Sequence, residues 1–523
     1  MTDTRRRLRG PHRLSAGVVL AIGLATTLAP AAGAASRPTT PRAVAASTNP
    51  AHITAQTRSG RVVTLTISTP AFSVPTHVAV DLPTGYDAAP TKRWPVAYFL
   101  AGTMNTYKSF NSVVGGVNLT NDFPAIVVSP NGNSGYWSDW FNSGAFGPPE
   151  YETYVIDQLI PLIDATFRTV PTRAQRAIAG VSMGGYGASM LAARHPDLFS
   201  SLASISGADD SNLPPLAAAL SASSTFDGGA VDAIYGPRLS QEVRWRGHNP
   251  VDLADNLRTL DVQVRTANGV PNPGIGEKLL SADSVSCVIE GGVHMGSVSL
   301  HNTLTALSIP HLWKDYGAGC HTSPNFKREI SDSIAVFTQR FAHTAPEPSR
   351  IAYRSIEPSI DVWGWHVQAD AHRALEVLQL SAASARGLTL AGSGLTTVTT
   401  APVFGGFGSV ALTGATTSRA TPDATGRLTF AVDLGAADTR QQYTVGATTT
   451  VTTRSVTFAP VGAKPVSAKP GTHHPTTRPS GPARTVASPS RSLAATGARP
   501  VLALAAAVLV GLAALLRRRA PAK

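Results

Sequence analysis

Between residues 50 and 345, short apolar or β-branched runs alternate with longer amphipathic or small-residue stretches. Residues 62–67 and 77–82 read as an opening pair of strands, and 95–100 and 125–129 as buried strands. Residues 151–167 place Val155, Leu159, Leu162 and Ile163 at helical spacing and predict an amphipathic helix. A strand is predicted over 176–181, a helix of small residues over 184–194, and further strands over 202–206, 262–267 and 311–316. Strands alternating with helices predict a mostly parallel sheet covered by helices on both faces, an α/β fold. From 350 to 460 the pattern changes to short Thr-, Val- and Gly-rich runs at 388–390, 396–399, 427–432 and 444–452. These predict a small all-β sandwich.

The two ends carry neither pattern. Residues 1–34 run from a basic stretch (Arg5 to Arg13) through an apolar one (Leu14 to Leu28) to Ala32-Gly33-Ala34. That order is a secretory signal peptide, the alternative being a retained membrane anchor. Residues 461–492 are rich in Pro, Ser, Thr and Ala and cannot bury enough surface to offset their own ordering entropy. They read as a stalk. Residues 493–523 combine Leu493-Ala494-Ala495-Thr496-Gly497, an apolar run from Val501 to Leu516, and Arg517-Arg518-Arg519 with Lys523. The pentapeptide resembles the LAxTG sorting signal that sortases cut between Thr and Gly. This predicts an exported protein joined to cell-wall peptidoglycan, the alternative being a C-terminal membrane anchor.

Charge adds an exclusion. The chain has 523 residues and a net charge of +12, yet residues 1–34 hold +4 and 461–523 hold +10. The interior is left at −2, so no basic groove for nucleic acid is expected. Cys287 and Cys320 are the only cysteines. An exported compartment permits a disulfide between them, worth roughly 3–4 kcal/mol in the chain-entropy picture, against two separate buried thiols.

The chemistry concentrates where a predicted strand meets a helix, at Gly180-Val181-Ser182-Met183-Gly184-Gly185. This is the G-x-S-x-G nucleophile elbow, in which Ser182 sits on a tight turn and Gly180 and Gly184 cannot carry bulk. The helix N-terminus points its dipole at charge developing near Ser182. No P-loop, dinucleotide fingerprint or zinc-ligand cluster is present, and neither cofactor nor metal is expected.

Residues from about 60 to 340 resemble the esterase D group of α/β-hydrolases, most closely the secreted mycolyltransferases and their esterase relatives. The resemblance rests on Tyr98-Phe99-Leu100-Ala101-Gly102-Thr103, Tyr136-Trp137-Ser138-Asp139-Trp140, the elbow, Tyr235-Gly236-Pro237 with Trp245 and Asn249-Pro250, and Asn268-Gly269-Val270-Pro271. It implies an α/β-hydrolase fold and a serine esterase or acyltransferase. Ser182 would be the nucleophile, His321 the base, and Glu290, 31 residues earlier, the acid. Backbone N–H groups of Thr103 and Met183 would form the oxyanion hole. Glu277 and Asp283 compete as acids, and His294 and His301 as bases. A Cys287–Cys320 bridge would tie the acid-bearing segment to the base-bearing loop. Where mycolyltransferases have Asp-Gly-Leu-Arg, this chain has Ala101-Gly102-Thr103-Met104, which weakens trehalose recognition. Acyl-ester hydrolysis is therefore the leading expectation, with transfer to a sugar or glycerol hydroxyl beside it. A non-catalytic surface binding protein on a hydrolase fold is the competing class. In the sandwich, Trp363 and Trp365 at i and i+2 suggest either a platform for a cell-surface polysaccharide or core packing.

Overall fold

A computed structural model describes residues 49–142, 149–278, 284–343 and 347–462. The sequence expectations for 1–34 and for 463–523 lie outside these residues. So does Asp283.

The first sheet has nine strands in the order β1-β2-β3-β5-β4-β6-β7-β8-β9. They are β1 (His52–Ser59), β2 (Val62–Ser68), β3 (Thr76–Asp81), β4 (Val96–Leu100), β5 (Ile126–Pro130), β6 (Arg176–Val181), β7 (Ser201–Ile205), β8 (Asp261–Thr266) and β9 (His311–Asp315). From β5 to β9 every pairing is parallel; β1, β2 and β3 join antiparallel. The two regimes show in side-chain burial. Strands β4 to β7 are buried at every position, as strands covered on both faces must be, whereas β2 alternates. β1 was not expected from sequence. Its residues are nearly all exposed, so no apolar period marks it.

The flanking helices include α1, which begins at Tyr151–Thr153, passes through a π-wound stretch Tyr154–Leu159 and ends at Ile160–Thr166. Val155, Leu159 and Ile163 are buried as expected, but Leu162 is half-buried because the wider π turn changes the face that later residues present. α2 (Met183–Arg194) is wholly buried between sheet and loops. α3 (Ser284–Ala306) and α4 (Ser323–Phe341) complete the set used below. This is the α/β-hydrolase architecture, and a smaller β-sandwich follows it.

The sandwich pairs a six-stranded sheet with a four-stranded one, closed over Leu380, Leu390, Val398, Phe430 and Phe458. Strands Gly387–Gly392, Leu395–Thr399 and Thr429–Asp433 lie on three of the expected runs. The fourth differs: the strand expected at 444–452 begins only at Thr452 and runs Thr452–Val461. Val445 and Val451, the bulky apolar residues of 444–451, are exposed rather than packed, and Gly446 takes a left-handed φ of 72° that ends any extended run.

The sandwich is tied to the hydrolase fold by partly buried polar contacts. Asn256 donates to Arg354 O (2.9 Å) and accepts from Arg354 N (2.9 Å), mimicking a strand pairing. Arg194, at the end of α2, pairs with Glu152 of α1 (2.7 Å) and with Glu357 (2.7 Å). Burial and the neighbouring Arg194 charge together push His248 down to about 3, so it is a neutral member of this cluster.

Behind α2, the fully buried Asp209 accepts from Ser189 Oγ (2.9 Å) and Ser204 Oγ (2.7 Å). Burial outweighs both hydrogen bonds and pushes its carboxyl up to about 6. A carboxyl raised above its unfolded value contributes stability at low pH and loses it as pH rises through the folded value. Asp209→Asn should therefore gain on wild type by on the order of 2 kcal/mol as pH rises from about 4 to about 6.5, then level off. Urea unfolding of both proteins across that range measures the difference; a gap independent of pH would contradict it.

Candidate active site

Ser182 sits between β6 and α2 with φ 61° and ψ −123°, a conformation L-residues avoid. The backbone around it holds the strain. Ser182 N–H donates to Ile205 O (3.0 Å), and its carbonyl accepts from Tyr186 N (3.1 Å) and Ala208 N (3.4 Å). The glycines are needed for space. A Cβ on Gly180 would lie 2.2 Å from Gly184 O, and one on Gly184 would lie 2.0 Å from Leu100 O. The elbow is thus pressed against the end of β4.

Register brings the other predicted residues alongside. Val181 pairs with Ile205, and Ile205 with Arg265. Ser182, Ser206 and Thr266-Ala267 therefore form a row along the C-terminal edge of adjacent strands, roughly 4.8 Å per step. Glu290, on α3 and wholly buried, closes onto that row. Its Oε1 accepts from Ser206 Oγ (2.7 Å), Ala267 N (2.9 Å) and Thr266 Oγ1 (3.3 Å). Its Oε2 lies 2.7 Å from His321 Nδ1. The carboxylate sets the tautomer, with Nδ1–H donating and Nε2 left with its lone pair. Among the described residues Ser182 Oγ makes no hydrogen bond to this ring; in substrate-free serine hydrolases that bond commonly tightens only when substrate binds.

The loop at residues 101–105 lies over the serine. Gly102 approaches so closely that a Cβ on it would be 3.2 Å from Ser182 Cβ. Among the described residues the Thr103 amide has no protein acceptor, and Met183, the first residue of α2, has no intrahelical acceptor. Two N–H groups are therefore free beside Ser182. Trp137 Nε1 braces this loop from below by donating to Ala101 O (3.3 Å), and Tyr136 N donates to Met183 Sδ (3.3 Å). Tyr136 and Trp137 both adopt positive φ (51° and 57°), so the aromatic loop is itself held in a costly conformation beside the serine.

The His321 loop is clamped from three directions. Cys287 and Cys320 form a disulfide, with Cα atoms 4.2 Å apart. His321 N donates to Ser286 O (3.0 Å). The third clamp is Glu277, which sequence left as a rival acid. Its oxygens accept from Cys320 N (3.0 and 3.1 Å), Asn272 N (2.9 Å) and Thr322 Oγ1. Glu277 therefore holds the Cys320 amide before His321 and the Thr322 hydroxyl after it, and the imidazole belongs to Glu290. The rival bases are placed elsewhere. His294 faces Asp315 at 3.9 Å, and His301 shares a hydrogen bond with His311 (2.8 Å) while stacking on Trp313.

Sequence reasoning missed Ser206 and Glu329. Ser206 follows β7 with φ 45°, and Glu329 of α4 reaches its hydroxyl (3.1 Å). No motif marks either. Of the two readings of the tryptophans, core packing holds for Trp365, while Trp363 lies in the two-residue turn between strands Ser359–Val362 and Trp365–Gln368. Trp363 N is bound to Asp197 Oδ2 of the hydrolase fold (3.0 Å), so the two rings do not share an open strand face. Among the described residues no three His, Cys, Asp or Glu side chains gather as a metal site requires, and no helix is long and apolar enough to cross a membrane.

The chain is similar in sequence to proteins described as esterases. A family model described as "Putative esterase" matches residues 69–283. The chain is 32% identical over 263 residues to a protein of Mycobacterium tuberculosis named an esterase, covering 49% of this chain and 55% of that one. It is 27% identical over 210 residues to the diacylglycerol acyltransferase/mycolyltransferase Ag85B of Mycobacterium leprae, covering 37% and 62%. The chain thus spans about half the length of the esterase it matches. Among solved structures, Mycobacterium tuberculosis MPT51 aligns with 54% of this chain and all of its own at a TM-score of 0.44 and 20% identity.

If the disulfide fixes the Glu290–His321 approach, its loss should loosen the loop before the fold. The Cys287→Ser/Cys320→Ser protein should keep its far-ultraviolet spectrum while losing turnover of any ester the native protein cleaves, by about 10-fold or more. Full turnover in the double variant would show that Glu277 and the Ser286 contact suffice.

Proposed function

We propose that this chain is an exported serine esterase that cleaves carboxylic (acyl) esters through an acyl-enzyme. The reading is carried by one observation: a serine at a strained strand–helix turn stands in a row with Ser206 and Ala267, the donors to a buried carboxylate that grips a histidine through Nδ1. His321 Nε2 accepts the Ser182 proton as Oγ attacks the carbonyl carbon. Glu290 holds the ring and meets the charge that develops on it. The amides of Met183 and Thr103 receive the oxyanion, each worth on the order of 3 kcal/mol. The same imidazole then protonates the leaving alcohol and activates water against the acyl-enzyme.

Transfer to a sugar or glycerol hydroxyl in place of water is the second reading, supported by the similarity to a mycolyltransferase. Hydrolysis is favoured because Met104, exposed at 56%, stands where the mycolyltransferase motif has Arg and offers no charge to a sugar. The export and sorting signals add the location. Residues 1–34 direct secretion, and sortase joins Thr496 to peptidoglycan at the extracellular face.

Ser182→Ala should lower hydrolysis of a short-chain chromogenic ester by on the order of 10⁴-fold or more and abolish fluorophosphonate labelling. Retained turnover would move the nucleophile elsewhere. An unlabelled native protein would leave the surface-binding reading. Assay of an ester panel with and without sugar acceptors, scored by product mass, separates hydrolysis from transfer. For location, the wall-released protein should end at Thr496; a mature chain retaining residues 497–523 would replace sorting by a membrane anchor.

A further inference from the structure

Two buried carboxyl groups, Glu290 and Glu329, meet the same hydroxyl. Ser206 Oγ is 2.7 Å from Glu290 Oε1 and 3.1 Å from Glu329 Oε2. A serine has one proton to donate. Were both carboxyls ionised, one of the two contacts would set a hydroxyl lone pair against a carboxylate oxygen with no proton between them. One carboxyl must therefore carry a proton. The donors decide which. Glu290 is met by Ser206, Ala267 N–H and the His321 ring, with Thr266 Oγ1 sharing its one proton between Glu290 (3.3 Å) and Ala267 O (3.1 Å). Among the described residues Glu329 is met, apart from Ser206, by the Asn325 amide alone (3.1 Å). The charge belongs on Glu290 and the proton on Glu329.

The direction of every bond then follows from one fixed end. Arg328 Nε–H can only donate, and it donates to Asn325 Oδ1 (2.8 Å). The Asn325 amide nitrogen must therefore face Glu329 Oε1, making Oε1 the carbonyl oxygen and Oε2 the hydroxyl. Oε2–H donates to Ser206 Oγ, Ser206 Oγ–H donates to Glu290 Oε1, and Glu290 Oε2 accepts from His321 Nδ1–H.

We propose that Glu329 is a positioning residue of the catalytic site. It acts as a neutral carboxylic acid whose hydrogen bond, relayed by Ser206, draws charge from Glu290 and limits how strongly Glu290 holds a protonated His321. The proposal rests on the Ser182–His321–Glu290 reading and extends it by one layer. Burial and the adjacent Glu290 charge both push the Glu329 carboxyl well above the usual carboxylate range, in the same sense as the bond directions. The other charged groups around it come from each packed element. Arg328 lies on α4 itself, and His321 on the loop after β9. Arg265 lies on β8, already engaged by Tyr316 (3.0 Å) and Asp332 (3.5 Å). The facing stretches of β7 and Ser109–Val114 carry no charge.

A neutral donor, a charged neighbour and a space-filling residue make different predictions. Glu329→Leu removes the donor and keeps the volume. Glu290 then holds more charge, so the acid limb of the kcat/KM profile should move to higher pH by about half a unit. Turnover at neutral pH should fall about 5-fold, the scale of one buried hydrogen bond. Glu329→Gln offers an N–H to Ser206 and a carbonyl to Asn325, and should recover most of both losses. In a Ser206→Ala background the Glu329→Leu change should move the limb no further, because the relay is already cut. The His321 ring titration, followed by NMR in Ser182→Ala protein, should show the same ordering without any turnover. It remains readable even if no ester proves to be a substrate, so failure of the esterase reading and failure of this proposal are separate results. Glu329→Gln shifting the limb downward would show that Glu329 is ionised and overturn the proposal. So would Glu329→Leu and Glu329→Gln behaving alike, or an undiminished Glu329→Leu shift without Ser206.

Discussion

A negative charge with no access to water must be met by donors wherever it is placed, and Glu290 is such a charge. Its donors come from the ends of β7 and β8 and from the loop after β9, while the carboxylate is delivered by α3. Four separate parts of the chain must converge within hydrogen-bond distance for it to be tolerated. The cost of leaving that carboxylate unmet is what locates the imidazole. Glu277 works in the same way on the backbone, receiving the amide before His321 and the hydroxyl after it.

The serine is placed by a different constraint. Steric closeness and backbone hydrogen bonds, not a buried charge, hold Ser182 in its turn. Gly180, Gly184 and the end of β4 are packed so tightly that the turn has one path, and the backbone bonds of Ser182 to Ile205, Tyr186 and Ala208 absorb its strain. The two constraints meet because β6, β7 and β8 are parallel neighbours with matched register. Parallel strands end together, so the turn after β6 and the donors after β7 and β8 share one edge of the sheet.

The second domain contributes through attachment. Its tryptophans are used for its own core and for the junction, and Arg194 joins the two folds through Glu152 and Glu357. Because Arg194 closes α2, whose first residues follow Ser182, the sandwich is fastened to the same helix that presents the serine.

The eight strands of the main sheet that the sequence suggested are all present: β4 to β7, buried on both faces, show as short runs of apolar or small residues, β2 shows by its alternation, and β9 is largely exposed. The elbow was legible for a related reason: its demand for small residues is local and falls within five positions. Glu290 and His321 were legible only through spacing and resemblance, and Glu277 was an open rival on sequence alone. Residue type and local order, then, were determined by the sequence directly. Only the tertiary structure decided which carboxylate meets the ring, that Ser206 and Glu329 stand behind it, and that two tryptophans two residues apart are separated by a turn. These facts depend on side chains distant in sequence approaching within about 3 Å, and hydrogen bonding at that range leaves no periodicity along the chain.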